Sequence, residues 1–222
     1  MLWEIVTLTV RVAAVAVLLD APLAIFCGWL LARKNFPGKT VFNTFLTLPL
    51  VLPPVVTGYF LLVMLGRNGA LGQWLEAVFG IRLAFTWKAA AIASAVLALP
   101  LFVRAVQVAI AGVDPKLEEA ARVLRQNEWE IFFKITLPLA WPGLAAGVLL
   151  AFARCLGEFG ATIVFAGNIP GETQTLTLKI FTLINQPEGE KQVMPLLLIS
   201  LGLAFASVLL HDWLARRGSQ AQ

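Results

Sequence analysis

Charge is scarce in this sequence. Only 14% of its 222 residues are Asp, Glu, Lys or Arg, against about 25% in a soluble domain. With 59% hydrophobic residues and a mean hydropathy of +0.82, the chain lacks the polar surface that water demands. That marks an integral membrane protein. Histidine occurs once, at His211, and cysteine twice, at Cys27 and Cys155. So few ligands exclude a disulfide framework and a His/Cys metal cluster; the cysteines read as small buried hydrophobes. No nucleophile–base set or carboxylate cluster stands inside the apolar runs, which argues against a membrane-embedded enzyme. A complete phosphate-binding loop is absent too. Gly38-Lys39-Thr40 ends like one, but Arg33 occupies the place of its first glycine and no strand precedes it. No cleavable signal peptide is expected, because Glu4 and Arg11 precede a first apolar run long enough to span. The net charge of +4 does not point to nucleic acid, since basic residues gather at membrane margins for topological reasons.

What the sequence does have is long apolar runs. Five reach the roughly 20 residues that a bilayer core requires: Val12–Ala32, Asn43–Leu65, Ala89–Ala111, Gly143–Ala166 and Met194–Leu214. The expected fold is therefore an all-α membrane protein of five transmembrane helices, with residues 1–222 as a single domain. Lys and Arg near the ends divide nine against six, densest in the short loop Lys34–Phe42. The bias predicts the N-terminus outside and the C-terminus, with Arg216 and Arg217, inside. Arg67–Trp87 should hold a short interfacial helix carrying Leu71, Trp74, Leu75 and Val78. Arg104 and Gln107 should snorkel toward headgroups. A mixed helix too short to span is expected at Leu176–Asn185, and His211 reads as a margin anchor.

Three features stand out. Val113–Gly143 opens with the longest polar island of the chain. Asp114-Pro115 starts a helix, whose Leu117, Ala120, Ala121 and Leu124 form one apolar stripe while Glu118 and Arg122 are spaced to pair on the polar side. Asn127 with Glu130 fits a capping box, and Pro138 and Pro142 should end the helix that follows. This is either a capped loop between spans or a docking element. Next, Pro49, Pro53 and Pro54 interrupt the second span before Thr57-Gly58. They make either a kinked helix or a pathway break whose freed carbonyls face protein or water. Finally, Arg154 and Glu158 lie four apart in the fourth span, beside Gly157, Gly160, Ala161 and Thr162. They form either a structural ion pair, either half of which should be equally hard to lose, or part of an ion route. Asp20 in the first span needs packing against protein.

The spacing Glu119-Ala120-Ala121, position 125, then Ile135-Thr136-Leu137-Pro138 resembles the EAA loop of ABC importer permeases. That family usually has Gly at the position of Arg125, so Arg125 either bears strain or the helix ends differently. Phe36-Pro37-Gly38-Lys39, Leu48–Val56, Leu156–Thr162 and Asn168–Thr173 extend the resemblance to molybdate importer permeases; sulfate permeases are similar but differ at the last two stretches. Some molybdate permeases carry an additional N-terminal helix, and the late start here favours five spans.

The resemblance implies a type I importer (MetI-like) permease fold, with a cytoplasmic coupling loop at about 113–140. It implies a second copy of the chain, two ATP-binding cassette subunits, and a periplasmic or extracellular oxyanion-binding protein. ATP and Mg would sit on the ATPase subunits, with no cofactor on this chain. Coupling would fall to Leu117, Glu118, Glu119, Ala120, Ala121, Leu124 and Arg125; pathway or interface roles would fall to Pro53, Pro54, Thr57, Gly58, Arg154, Glu158 and Thr162. The cargo would be molybdate, or tungstate. A sulfate/thiosulfate permease and a non-transporting membrane scaffold are the alternatives.

Overall fold

The computed structural model describes residues 2–187 and 189–219, without the side chains of 190 and 215–219. The side chains of Arg216 and Arg217 therefore lie outside the described residues. Among those described, all regular structure is helical: α1 (Leu2–Arg33), α2 (Lys39–Val51), α3 (Pro54–Leu65), α4 (Ala70–Phe79), α5 (Trp87–Ala111), α6 (Pro115–Val123), α7 (Glu128–Ile131), a π-helical turn (Phe132–Thr136), α8 (Leu137–Leu156), α9 (Gly160–Phe165), α10 (Leu176–Ile184) and α11 (Glu190–Ser219). Among the described residues four helical stretches are long and apolar enough to cross a membrane, or five if the bent pair α2–α3 counts as one span.

The spine of the bundle is α5. Ala89, Ala90, Ala91, Ala93 and Ala98 on it are fully or almost fully buried, and such small side chains let neighbouring helices approach closely. Helix α1 packs along one side of it, holding Ala13, Ala16, Ala24 and Cys27 against Ala98, Phe102 and Val106. Helix α8 packs along another, where a Cβ on Gly147 would stand 2.8 Å from that of Ala105. The Arg11 guanidinium lies 3.9 Å over the Trp87 ring, a cation–π contact that fixes the start of α5 to α1. Asp20 is buried in α1, as its place in an apolar span required, with Oδ2 unpartnered among the described residues. Helix α4 is the expected short helix, with Leu71, Trp74 and Val78 exposed on it. Asn35–Gly38 makes the tight turn between α1 and α2, where Gly38 takes a φ of 86° that a side chain would resist.

Two spans differ from their sequence expectation. Pro138 and Pro142 do not end the fourth; a continuous apolar helical stretch runs from Glu128 to Leu156. The π turn resolves the conflict. The Leu137 amide reaches back five residues to the Phe132 carbonyl, so Pro138 falls in a reset first turn where a missing N–H costs little. The break comes instead at Gly157–Phe159. There the Ala161 amide, which a continuous helix would give to the Gly157 carbonyl, goes to Glu158 Oε1 at 3.0 Å. The expected span Gly143–Ala166 is thus α8 followed by a separate α9.

The second span is broken rather than gently kinked. Leu52 and Pro53 are extended, and α2 meets α3 at 107°. Helix α3 is fastened to α9 by close backbone contact: a Cβ on Gly58 would lie 2.7 Å from the Ala161 Cα and carbonyl oxygen. Backbone cannot swing aside as a side chain can. Gly58→Ala should therefore cost about 1–3 kcal/mol, read as a lower thermal midpoint of the detergent-purified chain.

Candidate functional site

The loop that opens at Val113 is a small structure of its own, specified locally. The Asp114 side chain accepts the Lys116 amide at 2.9 Å, and Pro115 opens α6. At the other end, the Gln126 amide reaches the Ala121 carbonyl and the Arg125 amide that of Arg122, at 3.2 and 3.0 Å. This is a Schellman closure, and it needs a left-handed residue at 125. Arg125 supplies it at φ 59°, so the helix ends as a glycine would end it and Arg125 carries the strain. Arg125→Gly should stabilise the chain by roughly 0.5–1 kcal/mol, the αL cost less the extra freedom of glycine when unfolded. A thermal midpoint raised by about 2 °C would show it. Asn127 and Glu130 then form the reciprocal capping box at 2.8 and 3.1 Å.

The faces of α6 are not those that spacing suggested. Leu117, Ala120 and Leu124 of the apolar stripe are exposed, with Leu124 at 75%, and only Ala121 turns inward with Glu118. Glu118 is 5% exposed. Its main partner is Arg33, at the end of α1, whose Nε donates to Oε1 at 2.9 Å. Thr136, closing the π turn, donates to the same oxygen at 2.8 Å. Arg122 stands 4.0 Å from Glu118 and instead grips Glu128 at 2.7 Å; donating to that carboxylate pushes Arg122 above the usual guanidinium range. Glu119, one residue from the buried Glu118, is exposed and has no hydrogen bond or ion pair to the described residues. An apolar stripe and a carboxylate therefore face outward from a helix whose ends are both fixed.

The second constellation lies where the broken spans meet. Pro54 and Thr57-Gly58 on α3 face Gly160-Ala161-Thr162 on α9. The hydroxyls of Thr57 and Thr162 are buried and have no hydrogen-bond partner among the described residues. Pro53 and Pro54 are exposed at the break. Arg154 Nη1 donates to Glu158 Oε2 at 2.9 Å, with side chains 29% and 3% exposed. Glu158 does more than pair: its other oxygen caps α9, and its main-chain carbonyl accepts from Thr177 Oγ1 at 2.7 Å. Gly157 makes no close approach, unlike Gly160 and Ala161.

Sequence reasoning missed several residues. Arg33 and Thr136 meet Glu118 across 85 and 18 positions, beyond any local signal. Asn168, Gln174 and Thr182 join by side-chain hydrogen bonds of 2.8 and 2.9 Å between α9 and α10, with Gln174 and Thr173 buried. The polar run Asn168–Thr177 within so apolar a chain was the available signal. His211 Nδ1 lies 2.8 Å from the Ala146 carbonyl, which ties α11 to α8 and fits a fastening role.

Comparison with known proteins places this geometry. The family of binding-protein-dependent transport system inner membrane components matches residues 22–220. The molybdenum transport system permease protein ModB of Escherichia coli (strain K12) is 53% identical over 214 residues, which is 96% of this chain and 93% of that protein. The sulfate transport system permease protein CysT of the same strain is 36% identical over 97% of this chain and 82% of its own length. Among solved structures, the inward-facing MetNI methionine ABC transporter matches with TM-score 0.70 at 16% identity, over 98% of this chain and 94% of that one. The bacterial alginate ABC transporter in complex with its periplasmic protein matches at 0.72 and 18%, over 96% and 78%. These establish the type I ABC importer permease fold. With its apolar spans, its bent helical pair and a match running nearly end to end, this chain is a multi-pass inner-membrane protein that belongs to the binding-protein-dependent transport system inner membrane component family.

Proposed function

We propose that the chain is the transmembrane subunit of an ATP-driven molybdate importer, which also admits tungstate. The observation that carries this reading is the full-length likeness to the Escherichia coli molybdenum permease, 53% against 36% for the sulfate permease. A second copy completes the pathway. In the single chain α2 buries no residue and the Pro53-Pro54 break is exposed, which supports a partner at that face.

Energy enters through α6. Leu117, Ala120 and Leu124, flanked by Glu119, dock on a separate ATPase subunit on the cytoplasmic side, and that subunit holds ATP and Mg. Closure of two such subunits pushes α6 and rocks the spans between inward- and outward-facing states. The N-terminus lies outside, where an oxyanion-binding protein delivers the cargo. The route itself needs modest polarity. A dianion clasped by several free arginines would stay bound, and conduction requires release. Arg154 neutralised by Glu158, with the Thr57 and Thr162 hydroxyls nearby on α3 and α9, suits that requirement.

Proteoliposomes holding the chain, its ATPase and its binding protein test the reading. ATP-dependent uptake of labelled molybdate is expected, unaffected by excess sulfate. Equal competition by sulfate would favour the sulfate alternative, and uphill uptake without the ATPase would refute the reading.

A further inference from the structure

Glu118 and Glu119 are neighbours with opposite surroundings. Glu119 is exposed and unpaired, whereas Glu118 is buried and held from two other elements. We infer that Glu118, with Arg33 and Thr136, is the joint through which movement of α6 reaches the spans, and that these are positioning residues for transport rather than parts of the docking surface. The inference rests on the reading of α6 as the coupling helix and names what lies behind it.

The geometry supports the assignment in three ways. First, α6 has little else to pull on, since only Glu118 and Ala121 on it are buried. An alanine contact slides, while a charge-assisted hydrogen bond has length and direction. Second, the joint reaches two spans from a single oxygen. Oε1 accepts from Arg33 at the inner end of α1 and from Thr136 at the start of α8, at 2.9 and 2.8 Å. Arg33 Nη2 also donates to the Val113 carbonyl at 2.8 Å, so it grips both the entry to α6 and its first turn. Third, the neighbourhood has room and a soft point. A cleft of about 280 Å³ opens beside the joint, lined in part by Arg33, Lys34, Arg122 and Glu128. Thr136 closes the π turn, a helix irregularity frequent at functional positions. Rotation of α6 is thereby passed to α1 directly and to α8 through a turn able to change register.

The test compares hydrolysis with transport in the reconstituted complex. Arg33→Ala and Glu118→Ala are expected to co-purify the ATPase in wild-type amounts and to hydrolyse ATP. Molybdate taken up per ATP should fall about tenfold, and Glu118→Gln, which keeps the acceptor oxygen, should recover most of it. A merely structural role would change yield and leave that ratio alone. Thr136→Val, isosteric and lacking one donor, guards against loss of fold; it should lower the ratio about threefold at full yield. The inference is overturned if the ratio stays at its wild-type value in Glu118→Ala and Thr136→Val, or if Arg33→Ala and Glu118→Ala lose the ATPase from the complex. Leu124→Asp keeps the two readings apart: it should lose the ATPase outright, and its failure to do so would remove the docking face while leaving the ratios above to decide the joint.

Discussion

Glu119→Arg is expected to abolish molybdate uptake, by about 100-fold or more, while the permease accumulates normally in the membrane. Glu119 is exposed and makes no hydrogen bond or ion pair to the described residues, so reversing its charge costs the chain little beyond a weak attraction to Arg122. Helix α6 keeps its own supports at both ends, the Asp114 cap and the closure at Arg125. What changes is the outward face, where a carboxylate stands beside exposed Leu117 and Leu124. A charge at the centre of an interface is worth about 2–4 kcal/mol when removed, and its reversal adds repulsion against the cation that met it. Uptake and co-purified ATPase should fall together. Uptake preserved in this variant would leave α6 a capped loop and nothing more.

The second large effect concerns Arg154 and Glu158. Spacing suggested that either loss would cost the same, but the structure separates them. Glu158→Ala leaves Arg154 without its carboxylate and also strips the Ala161 amide of its acceptor. Breaking a buried ion pair costs about 3–5 kcal/mol, here nearer the lower figure because Arg154 is 29% exposed, and losing a cap adds about 1 kcal/mol. Arg154→Ala leaves the cap intact. Membrane yield and thermal midpoint should therefore drop further in Glu158→Ala than in Arg154→Ala. The exchanged pair, Arg154→Glu with Glu158→Arg, should recover the ion pair but not the cap, and so restore only part of the loss. Equal effects of the two single variants would mean that the contact to Ala161 is unimportant.

These two sites also show how much was legible beforehand. Local signals carried well. Asp114-Pro115 and Asn127 with Glu130 each specify a helix start within four residues, and both are found. The prolines at 53 and 54 announced a break, because missing amides cannot be restored at a distance. Glu118 was legible only in part. The pair with Arg122 that its spacing predicts is present at 4.0 Å, but its closer partner, Arg33, is 85 positions away, where no periodicity reaches. Pro138 was misread because a rule that prolines end helices does not include a π turn that resets the register first. The break after Leu156 stayed hidden because Arg154 and Glu158 keep a helical spacing although the helix between them stops.

The central claim is that this membrane domain is driven from its inner side through the exposed face of α6. Leu124→Cys tests it most directly, since Cys27 and Cys155 are buried and contribute little background. In intact cells a membrane-impermeant thiol reagent should leave this position unlabelled; in inside-out vesicles it should react, and adding the ATPase subunit should block that reaction. Labelling from outside in intact cells, or labelling indifferent to the ATPase, would contradict the account.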